Sequence, residues 1–479
     1  MSTMLTSQLT THINAFWDRE ILPALQDYIR IPNESPLFDP DWQAHGHMAR
    51  AVALVADWIR RQDMPGATLE VLQDGDRTPL LLLEFPGTIP DTVLMYGHLD
   101  KQPPMVGWRD DLGPWTPYLD ADGRLYGRGA GDDGYAVFTA LATVKALQDH
   151  GQPHGRIVIL IECSEESGSR DLPHYVNTYA ARLGTPSLII CLDSGCGNYD
   201  QLWSTTSLRG QMLINLQVEV LREGVHSGLA SGIVPNPFMV LRKLLDRLED
   251  TDTGAILLPE LHVPIPEERI HQAEKAAAVL GGAIVDDFPL LEAVHVLADD
   301  PVALLLNNSW RPALAVTGQD GMPSVTQAGN VLLPQLTYKL SLRLPPTLEA
   351  DRATAAVKRV FETEPPFGAR VTVTASGTNG WSAPPLAPWL AEVTDTSSQE
   401  FFGQEACYLG LGGSIPFMAM LGERFPQAQF LITGVLGPHA NAHGPNEFLH
   451  TPYAKKLNCC LVRVVEAHYR QATGGEAAV

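Results

Sequence analysis

Residues 92–100 read Thr92-Val93-Leu94-Met95-Tyr96-Gly97-His98-Leu99-Asp100, an apolar run that ends abruptly in a histidine and an acid. A short run of this kind, without alternation, describes a strand buried on both faces, the habit of parallel sheets. Similar runs occupy 80–85, 156–162 and 187–192, each rich in Val, Ile and Leu and bounded by Gly, Pro or charged residues. All four are expected to be buried parallel strands. A helical pattern fills 135–150, between the second and third runs, and further helices are expected at about 7–30 and 47–62, around a Pro-rich loop at 31–40. Strands alternating with helices make a doubly wound α/β domain.

The texture changes near residue 205. Segments 211–220 (QMLINLQVEV) and 335–344 (QLTYKLSLRL) alternate apolar with polar residues, the period of strands with one wetted face. A helix at 237–249 and a strand at 370–375 complete an α+β pattern. After Pro384-Pro385 the α/β texture returns, with a helix at 387–402 and a strand at 429–435. The expected organisation is a discontinuous α/β domain, 1–204 and 384–479, interrupted by an inserted α+β domain, 205–383. A chain of 479 residues exceeds what one core ordinarily organises, in keeping with this division.

Composition excludes several classes. With 45% hydrophobic and 18% charged residues the chain has ample core material and does not read as disordered. Lys+Arg 33 against Asp+Glu 55 gives a net charge of −22, which disfavours nucleic acid and anionic membrane surfaces as partners. No apolar run approaches membrane-spanning length, and the first twenty residues lack a basic flank followed by an apolar stretch. Cysteines at 163, 191, 196, 407, 459 and 460 form no zinc-type CxxC pair and read as reduced core thiols of a cytoplasmic protein.

In open α/β sheets functional groups gather where strands end. Here the strand at 92–96 leads into His98 and Asp100, that at 156–162 into Glu165 and Glu166, and that at 187–192 into Asp193. The strand at 429–435 leads into a loop with His439 and His443, and Asp132-Asp133 stands just before the helix that starts near Gly134. Any one of these acids is ordinarily a helix cap or a solvated charge; their convergence on one edge from five segments is not ordinary. Nitrogen and oxygen donors without thiolate suit zinc, manganese or cobalt, and they are too many for one closed structural site. Two ions sharing a carboxylate would activate a water and polarise a carbonyl, the equipment of a hydrolase, and a neighbouring carboxylate outside the ligand set would accept the water's proton. Gly129-Ala-Gly131-Asp-Asp-Gly134 also satisfies the dinucleotide pattern G-x-G-x-x-G, but Asp132 and Asp133 would repel a pyrophosphate at that helix start.

At these residues the chain resembles the M20 family of metallopeptidases, in its cytosolic dipeptidase and carnosinase-like branch. The motifs are Tyr96-Gly-His-Leu-Asp100 with Gln102-Pro103, Asp122-Gly-Arg-Leu-Tyr-Gly-Arg-Gly-Ala-Gly-Asp-Asp133, Glu162-Cys-Ser-Glu-Glu-Ser-Gly-Ser169, Gly412-Gly-Ser-Ile-Pro416 and His443-Gly-Pro-Asn-Glu447. The resemblance implies that His98 and Asp193 hold one metal, Glu166 and His443 a second, and that Asp132 bridges them. It makes Glu165 the general base and Asp100 the acid behind His98. The inserted domain is implied to be a lid and homodimerisation module, whose His226, in Val225-His-Ser-Gly228, crosses to the partner subunit's site to stabilise an oxyanion. Arg343 matches a substrate-carboxylate arginine, with Asn330 and Ser414 as further substrate contacts. The implied substrate is a dipeptide; an N-acyl amino acid, cleaved by an amidohydrolase on the same scaffold, is the alternative, and a non-catalytic binding protein is disfavoured by the intact Glu165. One departure stands out: the branch usually reads Asp-Asp-Lys-Gly where this chain has Asp132-Asp133-Gly134-Tyr135.

Overall fold

The computed structural model describes residues 4–286 and 288–474. It divides into two compact units. One comprises the chain up to Thr205, Ala383–Tyr408 and the stretch from Met420 onward; the other comprises Thr206–Ser382 and Leu409–Ala419. The segment Leu409–Ala419, counted from the sequence with the α/β portion, therefore groups with the inserted unit.

A six-stranded sheet centres the first unit, in the order Thr68–Leu72, Leu80–Phe85, Gly155–Glu162, Ile89–His98, Pro186–Cys191, Gln429–Ile432. The last four strands are mutually parallel, with His98 level with Glu162 and Tyr96 level with Cys191. Their interiors are fully buried, as the unbroken apolar runs require. Leu80–Phe85 departs from expectation: it runs antiparallel to Gly155–Glu162. A parallel partner needs a crossover of about a dozen residues, and only residues 86–88 separate this strand from Ile89–His98. The edge strand Thr68–Leu72 was not expected, because it is half exposed and carries no buried apolar run.

The topology selects the site. From Ile89–His98 the chain passes through the helix Tyr135–Asp149 to Gly155–Glu162 on one side, whereas from Pro186–Cys191 it continues to Gln429–Ile432 on the other. Connections that leave in opposite directions open a crevice at the strands' carboxyl ends, and His98 and Asp193 stand on its two sides. The helix Tyr135–Asp149 packs against the C-terminal helix Thr451–Ala472, which also packs on Pro388–Phe402. Buried Asn458 ties three helices, accepting from Trp17 Nε1 at 3.0 Å and donating to Thr139 O and Thr143 Oγ1 at 3.2 and 2.8 Å.

The inserted unit contains a four-stranded antiparallel sheet in the order Ala313–Asp320, Gln335–Leu344, Gly210–Glu219, Arg370–Thr378. Alternate residues Met212, Ile214, Leu216 and Val218 form a core with Leu340, Leu342, Val357 and Phe361, so the period of two read from the sequence is the burial pattern. No described helix is long and apolar enough to cross a membrane.

Candidate active site

His98 ends the central strand with its imidazole fully buried. Its Nδ1 donates to the carbonyl of Asp100 at 3.0 Å, which leaves the Nε2 lone pair pointing into the crevice. Asp132 Oδ1 lies 3.3 Å and Asp193 Oδ1 3.9 Å from that nitrogen. The other Asp132 oxygen, Oδ2, lies 3.0 Å from His443 Nε2, and Glu166 Oε2 lies 3.4 Å from the same nitrogen. One carboxylate thus faces a different histidine with each oxygen. His443 makes both of these contacts.

The Asp100 carboxylate does more than back His98. Its Oδ1 accepts from the Glu165 N–H and its Oδ2 from the Glu166 N–H, both at 3.0 Å, so it fixes the turn that carries both glutamates. Gln102 Nε2 donates to Glu166 Oε2 at 2.5 Å. Neither role was legible in the sequence, where Gln102 entered only as part of a motif. Asp133, named in the sequence only beside Asp132 and without a role of its own, accepts from the His98 N–H at 3.1 Å through Oδ2 and clusters with His98 and Asp193.

The residues fit a divalent cation. Donor atoms of His98, Asp132 and Glu166, and of His98, Asp133 and Asp193, lie within 4.8 Å of one another. Three buried atoms that face this cluster, His98 Nε2, Asp133 Oδ1 and Glu166 Oε1, make no hydrogen bond. Charge points the same way. Burial and the neighbouring Asp193 push Glu165 well above the usual carboxylate range, burial and Asp132 do the same to Glu166, and burial raises Asp193 to about 6. Burial would lower His98, but Asp100, Asp132 and Asp193 outweigh it and push the imidazole well up. So many buried carboxylates share the pocket that positive charge is needed before all can ionise.

Gly134 answers the departure noted above. A Cβ there would lie 2.3 Å from Tyr28 Cε1 and 2.5 Å from the Gly129 carbonyl, so no side chain fits. A buried lysine amine is nevertheless close by: Lys101 Nζ sits 3.9 Å from the centre of the Tyr28 ring and donates to the carbonyls of Tyr28 and Ile31 at 2.9 and 2.8 Å, and burial pushes it well below the usual lysine value.

In the inserted unit, Val225–His226 pairs with Val331–Leu332, and the Ser227 N–H donates to Asn330 O at 2.9 Å, so His226 and Asn330 are neighbours. The exposed His226 ring accepts at Nδ1 from the Gly228 N–H, 3.1 Å, so its neutral tautomer presents Nε2–H outward as a donor. Arg343 Nη1 donates to Ser414 Oγ at 3.2 Å, and Ser414 in turn donates to the Arg209 carbonyl at 2.6 Å. Arg209, which sequence reading missed, holds the Gly412 carbonyl through Nε at 3.1 Å, and burial beside Arg343 lowers its guanidinium to about 10.

Residues 94–467 match the sequence profile described as Peptidase family M20/M25/M40, and the chain is a member of that family. Within it the chain falls in the dipeptidase and carnosinase-like branch. It is 29% identical to the cysteinylglycine-S-conjugate dipeptidase of Corynebacterium striatum over 74% of this chain and 76% of that one. It is 28% identical to the human Beta-Ala-His dipeptidase over 86% and 83% of the two chains. The solved structure of the dipeptidase Dug1p from Saccharomyces cerevisiae superposes with a TM-score of 0.73 at 21% identity, covering 96% of this chain and 98% of that one, which shows a common fold.

Proposed function

We propose that this chain is a dipeptidase that uses two divalent ions, one held by His98, Asp132 and Asp193 and the other by His443, Asp132 and Glu166. The observation that carries the reading is the pair of Asp132 oxygens, one 3.3 Å from His98 and the other 3.0 Å from His443. Ions held there would lower the pKa of a water molecule and polarise the carbonyl to be cleaved. Glu165 takes the proton of the attacking water and passes it to the departing amine. Asp100 holds the Glu165–Glu166 turn through its two N–H bonds and sets the His98 tautomer through its carbonyl. The His226 Nε2–H donates to the oxyanion, acting across a homodimer on the partner subunit's site as the family resemblance implies. Arg343 binds the substrate carboxylate, with Asn330 and Ser414 as further contacts; Ser414 Oγ accepts from Arg343 and its hydroxyl donates to the Arg209 carbonyl. Zinc suits the nitrogen and oxygen donors best, with manganese or cobalt as substitutes. Six buried cysteines, with no disulfide among the described residues, support a reducing, cytoplasmic setting.

The test is hydrolysis of a mixed panel, dipeptides beside N-acetyl and N-succinyl amino acids, after chelation and again after adding zinc, manganese or cobalt. Metal-dependent dipeptide cleavage is expected. Cleavage of the acylated amino acids alone would move the assignment to an amidohydrolase with the same residues in the same roles.

A further inference from the structure

His443 stands on an exposed loop in which His439, Asn441, His443 and Asn446 all have positive φ, conformations that non-glycine residues adopt reluctantly. A ligand on such a loop must be held from behind. Behind it lies a fully buried ion pair, Arg128 Nη1 to Glu447 Oε2 at 2.6 Å, with side chains 1% and 0% exposed. The remaining polar atoms of this pair reach the segments of Asp132 and His443 directly and that of Glu166 by way of the neighbouring Gln102. Glu447 Oε1 accepts from the N–H groups of Gly129, Gly131 and Asp132 at 3.0, 3.2 and 3.2 Å. Arg128 Nη2 donates to the carbonyl of Gly444, next to His443, at 2.7 Å. Arg128 Nε donates at 3.1 Å to the carbonyl of Pro103, next to the Gln102 that holds Glu166. Asp193, by contrast, receives nothing from the pair.

We infer that Arg128 and Glu447 are positioning residues for the second ion: together they set Asp132, His443 and Glu166 at one mutual distance, and the first ion depends on them far less. This rests on the two-ion reading above. The chemistry of the pair is specific to the task. A planar guanidinium meets a carboxylate and two carbonyls from three separate nitrogens held in one plane, a spread that the single nitrogen of an ammonium does not reach.

The experiment is a calorimetric zinc titration of the chelated full-length protein, wild type beside Arg128→Lys and Glu447→Gln, with thermal denaturation of each chelated sample. Glu447→Gln keeps the volume and an oxygen for the three N–H groups, and so serves if the arginine variant does not fold. The expected result is two ions in the wild type and, in a variant, one affinity weakened about 10–100-fold while the other stays where it was; the chelated variant still melts cooperatively, at a lower temperature, because one member of a buried pair is lost. Two undiminished affinities in both variants would overturn the inference alone, as would equal weakening of both ions with a collapsed melting point, the mark of a merely structural pair. A wild type that takes up fewer than two ions would remove the two-ion reading itself and this inference with it.

Discussion

Glu165 and Glu166 are neighbours for which different tasks are proposed, and the turn that carries them is held through its backbone. Asp100 grips both of their N–H groups, so replacing the Glu165 side chain leaves the turn in place. Glu165→Gln is therefore expected to retain its bound metal, measured by elemental analysis, while turnover falls about 10²–10⁴-fold; unchanged turnover would end the base assignment. The glycine at 134 makes a second residue-scale prediction. Its Cβ would overlap Tyr28 and the Gly129 carbonyl, so Gly134→Ala is expected to cost about 1–3 kcal/mol, seen as a lowered melting temperature. Of the proposed ligands, His98, Glu166 and Asp193 were legible in the sequence because each closely follows an apolar run, whereas Asp132, before a helix, and His443, in a loop, were legible only through their motifs. Asp100's grip on residues 65 positions away was not, since a bond from a carboxylate to a peptide N–H imposes no residue type on its donor.

At the scale of the element, the antiparallel edge is fastened by charge. Glu84, on Leu80–Phe85, accepts from Arg182 Nε at 2.7 Å and pairs with Arg156 of the adjoining strand. Burial would raise its carboxyl, but the bonds from Arg182 and Arg156 outweigh it and hold it below the usual range. A depressed carboxylate stabilises the fold above its unfolded value, about 4.3, and that contribution is lost as pH falls through the folded value. Glu84→Gln should thus destabilise by about 1–3 kcal/mol near pH 7, and the gap from wild type in melting temperature should close below about pH 4. A gap that stays constant with pH would show that charge is not what fastens the edge. The strand's existence was readable from its apolar run, whereas its direction was set by the three-residue link to the next strand. The long C-terminal helix Thr451–Ala472 escaped notice for a related reason: it is buried from Thr451 to His468 on most sides and shows no clean polar face.

For the whole molecule the sharpest prediction concerns subunits. If His226 serves the partner's site, His226→Ala and Glu165→Gln are each nearly inactive as homodimers. Mixed and allowed to exchange, they form a heterodimer with one complete site, in which an intact Glu165 meets an intact His226. Activity is expected to reappear on mixing, read as dipeptide turnover against time. Two variants that stay silent after demonstrated exchange would assign His226 to its own subunit or to no catalytic role. The same readout applies to removal of the ions: chelation should abolish turnover and added zinc should restore it.

By itself the sequence determined the alternation of buried strands and helices, the interruption by a half-wetted sheet, and the set of acids and histidines that follow strand ends. These are local matters, fixed by side-chain period and by what comes next along the chain. Only the tertiary structure decided which way Leu80–Phe85 runs, that the two oxygens of Asp132 face different histidines, and that Arg128 and Glu447 tie together loops more than 300 residues apart. Distances between atoms of remote segments depend on how the sheet is ordered and twisted, and no spacing along the chain encodes them.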